Sequence, residues 1–292
     1  MQANPHRQEK IASSMMTLKA RVSRSVRRLP HRGAAGVLVA TMLLAGCATP
    51  PPASDPEAYA EFESVNDPLE PFNRGVFEFN RGIDALFLKP FAEFYKLLLP
   101  PPVQTGIHNL LTNLRLPVTF FNNILQWDWA EAGNTAARFG INTTVGVAGF
   151  GDFATDWGFP YRNEDFGQTL ATWGIGEGPF LMLPLLGPSN PRDAVGIAVD
   201  STVLDPLGLV NTFVFDSSFT LKMISLGRLG LTAVDTRARY YDALNDLERN
   251  SLDFYASIRS LYRQTRRGEI YNGAPPAEAG APPLTPVEEG ID

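Results

Sequence analysis

The chain has 292 residues, with 25 Lys+Arg, 31 Asp+Glu, three histidines and one cysteine. A lone cysteine excludes an internal disulfide framework, and so few His and Cys leave too little for a zinc site. Eight of the basic residues but only one acidic residue precede Cys47. The chain from Cys47 onward therefore carries a formal charge of about −13, which argues against a nucleic-acid surface and against electrostatic adhesion to anionic headgroups.

The charges from Lys10 to Arg32 are all positive (Lys10, Lys19, Arg21, Arg24, Arg27, Arg28 and Arg32), and Ala34 to Ala45 carry no charge. A basic leader followed by a short apolar stretch and small residues predicts a signal peptide. Twelve helical residues rise about 18 Å, too short for a hydrocarbon core of about 30 Å. A start at Met15 or Met16 would leave a leader of ordinary length. The stretch Leu44-Ala45-Gly46-Cys47 resembles a bacterial lipobox, in which the cysteine thiolate is the nucleophile that takes the lipid. Ala48 follows rather than aspartate, which by resemblance to sorted lipoproteins favours the outer membrane. The expected organisation is a lipoprotein signal at 1–46, a lipidated flexible tether at 47–66, one domain at 67–270 and a disordered Pro/Ala/Glu-rich tail at 271–292.

The domain reads as helical. Asp67 before Pro68 suggests an N-cap, and Phe72, Val76, Phe79, Ile83 and Leu86 recur on one helical face. Lys89-Pro90 is expected to break that helix before an apolar segment from Phe91 to Leu99. Val103, Ile107, Leu110, Leu111 and Leu114 form the next face, and Pro117 is expected to open a further segment through Leu125. Asp128 is placed to cap a helix carrying Ala132, Ala136 and Phe139. At Gly146 the texture changes: GVAGFGDFATDWGFPYRNEDFG is rich in glycine and aromatics and has no helical period. A segment this long is either a functional surface loop or one folded back on itself at its glycines. Helical patterns resume over Glu164 to Trp173, Asn190 to Leu204, Ser217 to Leu247 with a break near Gly227 or Gly230, and Ser251 to Arg267. Arg263, Arg266 and Arg267 end the last of these, where cations favour the helix dipole. Every aromatic residue follows Cys47, and a chain of this length can bury a full core, so most are expected inside. No stretch after Cys47 reaches 18 apolar residues, and barrel-like alternation is missing.

Catalytic signals are weak. His108 is the only histidine after Cys47 and reads as a surface residue. No G-x-S-x-G elbow is present, Glu164-Asp165 sits where a helix begins and reads as a cap, and the glycines from Gly146 lack the lysine of a nucleotide loop. Neither an enzyme nor a metal or other cofactor is expected, beyond a covalent lipid on Cys47.

Three stretches carry a family likeness. DPLEPFNRGVFEFNRGID (67–84), GVAGFGDFATDWGF (146–159) and EDFGQTLATWGIGEGPFLMLPLLGPSNPRDAVG (164–196) resemble the signatures of the MlaA/VacJ lipoproteins, in order, over about 67–250. The resemblance implies a mainly α, ring-shaped single domain of amphipathic helices lying in the membrane plane, with a glycine/aromatic-rich loop or hairpin near a central channel. It implies removal of mislocalised phospholipid from the outer leaflet of the outer membrane, hand-over to a periplasmic lipid carrier, and association with a trimeric porin. Within it, Phe150, Phe153, Trp157 and Phe159 are the expected acyl-chain contacts. Asp152 and Asp156 are expected near water or paired with an arginine. Asn73, Arg74, Phe79 and Asn80 are expected to fix the first helix against the channel loop, and Arg192-Asp193 to form a local cap and ion pair. A scaffold that braces porins without moving lipid is the competing reading, and a lipid hydrolase using His108 a third.

Overall fold

The computed structural model describes residues 67–206 and 219–273. The expected signal at 1–46, Cys47, the tether and the tail beyond residue 273 lie outside these residues, as does the start of the helix expected from Ser217.

The fold is mainly α. Helix α1 (Glu70–Ile83) begins with Pro71 in its first turn, where a missing N–H needs no partner. Asp67 does not cap it. That carboxylate is buried and accepts from Asn73 (2.8 Å), Tyr255 (2.5 Å) and Arg259 (2.8 Å), so it ties the start of the domain to its last helix. Lys89-Pro90 does not break the chain either. A π-helical turn, π1 (Asp84–Leu88), runs straight into α2 (Lys89–Leu98), with Pro90 again in a first turn, where proline is tolerated. Pro117 opens no new segment; it lies inside the 25-residue α3 (Pro101–Leu125). The neighbours Leu116, Val118 and Thr119 are buried, and this packing outweighs the local proline penalty.

Asp128 caps α4 (Trp129–Thr144) through the Glu131 N–H at 3.0 Å. The glycine/aromatic segment makes turns and one short helix, α5 (Phe153–Asp156), and no hairpin. After α6 (Phe166–Thr172), the hairpin found among the described residues joins β1 (Leu181–Leu183) antiparallel to β2 (Gly187–Ser189), with Met182 opposite Pro188. Gly187, at φ 83°, adopts the left-handed backbone of this turn without a Cβ penalty. Helix α7 (Pro191–Val199) leads into π2 (Asp200–Leu204), followed by α8 (Phe219–Arg239), α9 (Tyr241–Asn250) and α10 (Phe254–Ile270). The break near Gly227 or Gly230 does not occur; the helix ends at Arg239. One glycine costs only about 1 kcal/mol in a helix.

The largest departure from expectation concerns what is inside. Composition points to an aromatic core, yet Phe77 and Phe180 are the buried phenylalanines among the described residues. They form a small cluster with Met182 and Tyr255, and a second gathers Ala92, Tyr95 and Ala238. Elsewhere polar and charged side chains outnumber apolar ones in the interior, while Leu86, Phe91, Phe94, Leu97, Trp127 and Phe219 stand more than half exposed. The helices turn polar faces inward and join them by hydrogen bonds, for example Asn123 to Thr135 and Asn113 to Thr143, both at 3.0 Å between α3 and α4. The helical stripes predicted from periodicity exist, but several of them face outward. No described helix is long and apolar enough to cross a membrane.

Candidate functional site

Three neighbouring cavities share lining residues. The first, about 580 Å³, is bordered by α1, π1 and the hairpin, and reaches Lys89, Arg237 and Glu248. The second, about 460 Å³, opens between Arg115, Asp165, Asp193, Asp200 and Arg266. Pro188, Leu244 and Ile258 line both, so an apolar waist separates two charged chambers. The third, about 410 Å³ beside Arg162 and Asn163, shares Thr265 and Glu269 with the second. Each of the two larger chambers also has an apolar wall: Phe77, Met182 and Phe254 in the first, Ile197 and Leu261 in the second. Such mixed walls suit an amphiphile, since the head meets charge and the tail meets hydrocarbon.

The second chamber is built around Arg266. Its guanidinium donates to Asp165 (2.7 Å twice), to Asp193 (2.8 and 3.0 Å) and to Glu269 (2.9 Å). Asp165 also caps α6, accepting from the Gln168 N–H at 3.0 Å. Asn190 caps α7 through the Asp193 N–H at 2.8 Å, and Tyr262 donates to Asp193 at 2.6 Å. One cation from α10 thus neutralises acids at two helix starts. Arg266 was expected to favour the helix dipole at the end of α10; it lies near that end but is 8% exposed, because two buried carboxylates require a charge partner. Arg192 pairs with Asp193 at 3.1 Å, while Asn190 supplies the cap.

These surroundings move the acids apart. Burial would raise Asp165, but hydrogen bonds and charge from Arg266 overcome it and hold the carboxyl at about 2. Burial likewise opposes, and Arg266 again reverses, the shift at Asp193, which ends below the usual range. Glu164 makes no ion pair among the described residues. Burial, with the Asp165 charge adding to it against a hydrogen bond from Gln126, raises it to about 7. Burial also raises Asp200. Of the Glu164-Asp165 pair, Asp165 supplies the expected cap, while Glu164 is buried beside it.

The glycine/aromatic segment is pinned from α4. Arg138, 2% exposed, reaches both Asp152 oxygens at 2.9 Å and donates to Thr155 and to the Phe159 carbonyl. Asn142 donates to Asp152 at 2.8 Å and accepts from the Ala154 N–H at 2.9 Å. Burial opposes ionisation of Asp152, but bonds from Thr155, Asn142 and Arg138 leave it below the usual range. The Phe150 ring covers Gly106, where a Cβ would lie 2.1 Å from the ring.

Residues 65–269 match the family model described as "MlaA lipoprotein". The chain belongs to the MlaA lipoprotein family. The "Intermembrane phospholipid transport system lipoprotein MlaA" of Haemophilus influenzae is 31% identical over 241 residues, 81% of this chain and 89% of that protein. The protein of the same name from Escherichia coli K12 is 31% identical, covering 80% and 86%. An uncharacterized protein of Rickettsia bellii is 34% identical over 70% of this chain and 77% of its own length. A solved structure, titled "Structural basis for maintenance of bacterial outer membrane lipid asymmetry", superimposes with a TM-score of 0.59 at 31% identity, over 71% of this chain and 99% of that one.

On this MlaA fold, the residues singled out in the sequence fall in two places. Phe150, Phe153, Asp152, Asp156, Trp157 and Phe159 border none of the three cavities. Phe150, Phe153 and Trp157 are partly exposed, and Asp152 is engaged by Arg138. Asn73 and Asn80 hold α1 against the hairpin and not against the 146–159 segment. Asn73 donates to the Phe180 carbonyl (3.0 Å) and accepts from the Met182 N–H (2.9 Å); Asn80 pairs with the Leu183 carbonyl and the Leu185 N–H. Arg74 bridges Glu70 and Asp253, and Phe79 is 53% exposed. His108 is partly exposed, in line with a surface position, and meets Asp235 at 2.8 Å. Sequence reasoning missed the hairpin, Arg237, Lys89 and the Arg266 clamp. The turn in MLPLLGPS, an X-Pro followed by glycine between short apolar runs, was the available signal for the hairpin; the cations belong to no motif.

Proposed function

We propose that this chain is an outer-membrane lipoprotein, tethered by acylated Cys47, that draws phospholipid out of the bilayer through its neighbouring cavities without covalent chemistry. On this reading a soluble periplasmic carrier receives the lipid, and a trimeric porin holds the protein in the membrane. The observation that carries the proposal is the pair of neighbouring charged chambers that share the apolar waist of Pro188, Leu244 and Ile258. An acyl chain in water forfeits about 0.8 kcal/mol per methylene, so a route through the waist keeps tails covered while headgroups stay paired. The outward apolar faces of α2 and α8 suit a hydrocarbon setting better than water. Membership of the MlaA family, whose named relatives belong to an intermembrane phospholipid transport system, supports the same direction.

The test is a transfer assay. Full-length protein is reconstituted in vesicles carrying labelled phospholipid and offered a soluble lipid-binding acceptor, with Cys47→Ser as the release control. Label reaching the acceptor intact supports the proposal. Porin binding without transfer would leave the scaffold reading, and lyso-products that vanish with His108→Ala would indicate hydrolysis.

A further inference from the structure

We propose that the 580 Å³ chamber contains a phosphate-binding subsite made by Lys89 and Arg237, which takes the phosphodiester of a glycerophospholipid. This rests on the transport reading above and gives its headgroup a station. The carboxylates of this chamber are already committed. Glu78 and Glu248 both accept from Arg81, at 3.0 and 2.6 Å, and Asp84 accepts from Arg237 Nε at 2.8 Å. Because Arg81 takes two acids, Lys89 has no carboxylate within ion-pair distance among the described residues. Its ammonium lies 6.0 Å from the Tyr241 ring centre, and the Arg237 guanidinium carbon 5.2 Å from the same centre. Both cations line the chamber, and both lie near the Tyr241 ring, which Lys96 also approaches at 4.7 Å.

Arg237 carries the stronger mark. It is 8% exposed, Nε and Nη2 are satisfied by Asp84 and Asn245, and Nη1 has no hydrogen-bond partner among the described residues. Native structures rarely leave a buried guanidinium nitrogen unpaired. An anionic oxygen would satisfy it, and Arg with Lys is a pairing well matched to phosphate. The apolar wall of Phe77, Met182 and Phe254 lies in the same chamber and continues to the waist at Leu244 and Ile258, so chains attached to the phosphate have cover within reach. A ligand that joins one phosphate to apolar chains fits all of these features; free phosphate fits the cations alone.

Equilibrium dialysis of the full-length protein in amphipol tests this with three probes: dihexanoylphosphatidylglycerol, dihexanoylglycerol and inorganic phosphate. Lys89→Gln should weaken binding of the phospholipid about tenfold, the scale of one charge-assisted hydrogen bond, and leave dihexanoylglycerol unchanged, with Lys89→Arg restoring the loss. Arg237→Lys should weaken the same probe while thermal unfolding reports whether the fold is kept. Phospholipid binding that persists undiminished in Lys89→Gln and in folded Arg237→Lys overturns the subsite and leaves the transport reading standing. Inorganic phosphate bound as tightly as the phospholipid, with the same Lys89 dependence, overturns the lipid assignment. Failure of the wild type to bind either chain-bearing probe overturns the transport reading itself.

Discussion

Arg266 donates to both carboxylate oxygens of Asp165 at 2.7 Å across 101 residues of sequence. The pair joins the last helix to the cap of α6, and Asp193 extends the tie to α7. The charges that line the second chamber thus also hold its walls together. Arg266→Met should leave Asp165 without its cation and Asp193 with only Arg192. Breaking a buried pair on one side costs about 3–5 kcal/mol, which for a domain of this size lowers Tm by roughly 10 °C. Differential scanning calorimetry checks this; a fall of only a degree or two would mean that the clamp contributes little.

Glu164 should make stability fall as pH rises. Its pKa is raised in the fold, from 4.5 to about 7, so its contribution is full below 4.5 and is lost as pH climbs through 7. Asp165 works in the opposite sense: with its pKa held at about 2 against an ordinary 3.8, its contribution is present above 3.8 and is lost as pH falls toward 2. Glu164→Gln keeps an acceptor for Gln126 and removes the charge. It should flatten the profile between pH 4.5 and 8 and stabilise at pH 8 by about 2 kcal/mol. Urea denaturation at several pH values gives the answer, and parallel profiles for the two proteins would refute it.

Gly106 and Phe150 should behave as a coupled pair. A methyl at Gly106 would meet the Phe150 ring at 2.1 Å, and overpacking of this kind costs about 1–3 kcal/mol. Gly106→Ala should therefore destabilise, and Gly106→Ala with Phe150→Ala should cost less than the two changes summed. Additive losses in a double-mutant cycle would show that the ring moves aside freely.

The helices of this chain were legible in the sequence because apolar spacing reports a stripe. Phe72, Val76, Phe79 and Ile83 do lie along one helix, α1. Spacing does not say what the stripe faces. Phe79 points out, whereas Asn73, read only as a polar residue needing a partner, is fully buried among Asp67, Phe180 and Met182. Helix ends were misplaced where packing overrides local preference, at Pro117 and at the π turn before Pro90. The glycine/aromatic segment was conspicuous in composition, and the three cavities described above are lined by other residues. Their cations, Lys89, Arg237 and Arg266, come from separate helices and meet only in the folded chain, so no local pattern marks them.

All four tryptophans stand at least half exposed; Trp127 and Trp129 pack edge to face at 6.1 Å, and Trp173 donates to the Leu125 carbonyl. Tryptophan favours the headgroup level of a bilayer, where its ring is covered and its N–H is satisfied. Reconstituted protein should show tryptophan fluorescence quenched more by lipids brominated near the glycerol than by lipids brominated mid-chain. Quenching by neither would place these residues in water.

The central claim is that lipid passes the waist between the two larger chambers. Leu244→Trp and Ile258→Trp each fill that waist without touching the ion pairs around it. In the vesicle-to-acceptor assay, with Tm and membrane association matched to wild type, the account predicts that each variant slows phospholipid transfer at least about tenfold, since overpacking a constriction leaves little room for a chain. Transfer at the wild-type rate through a filled waist would contradict it.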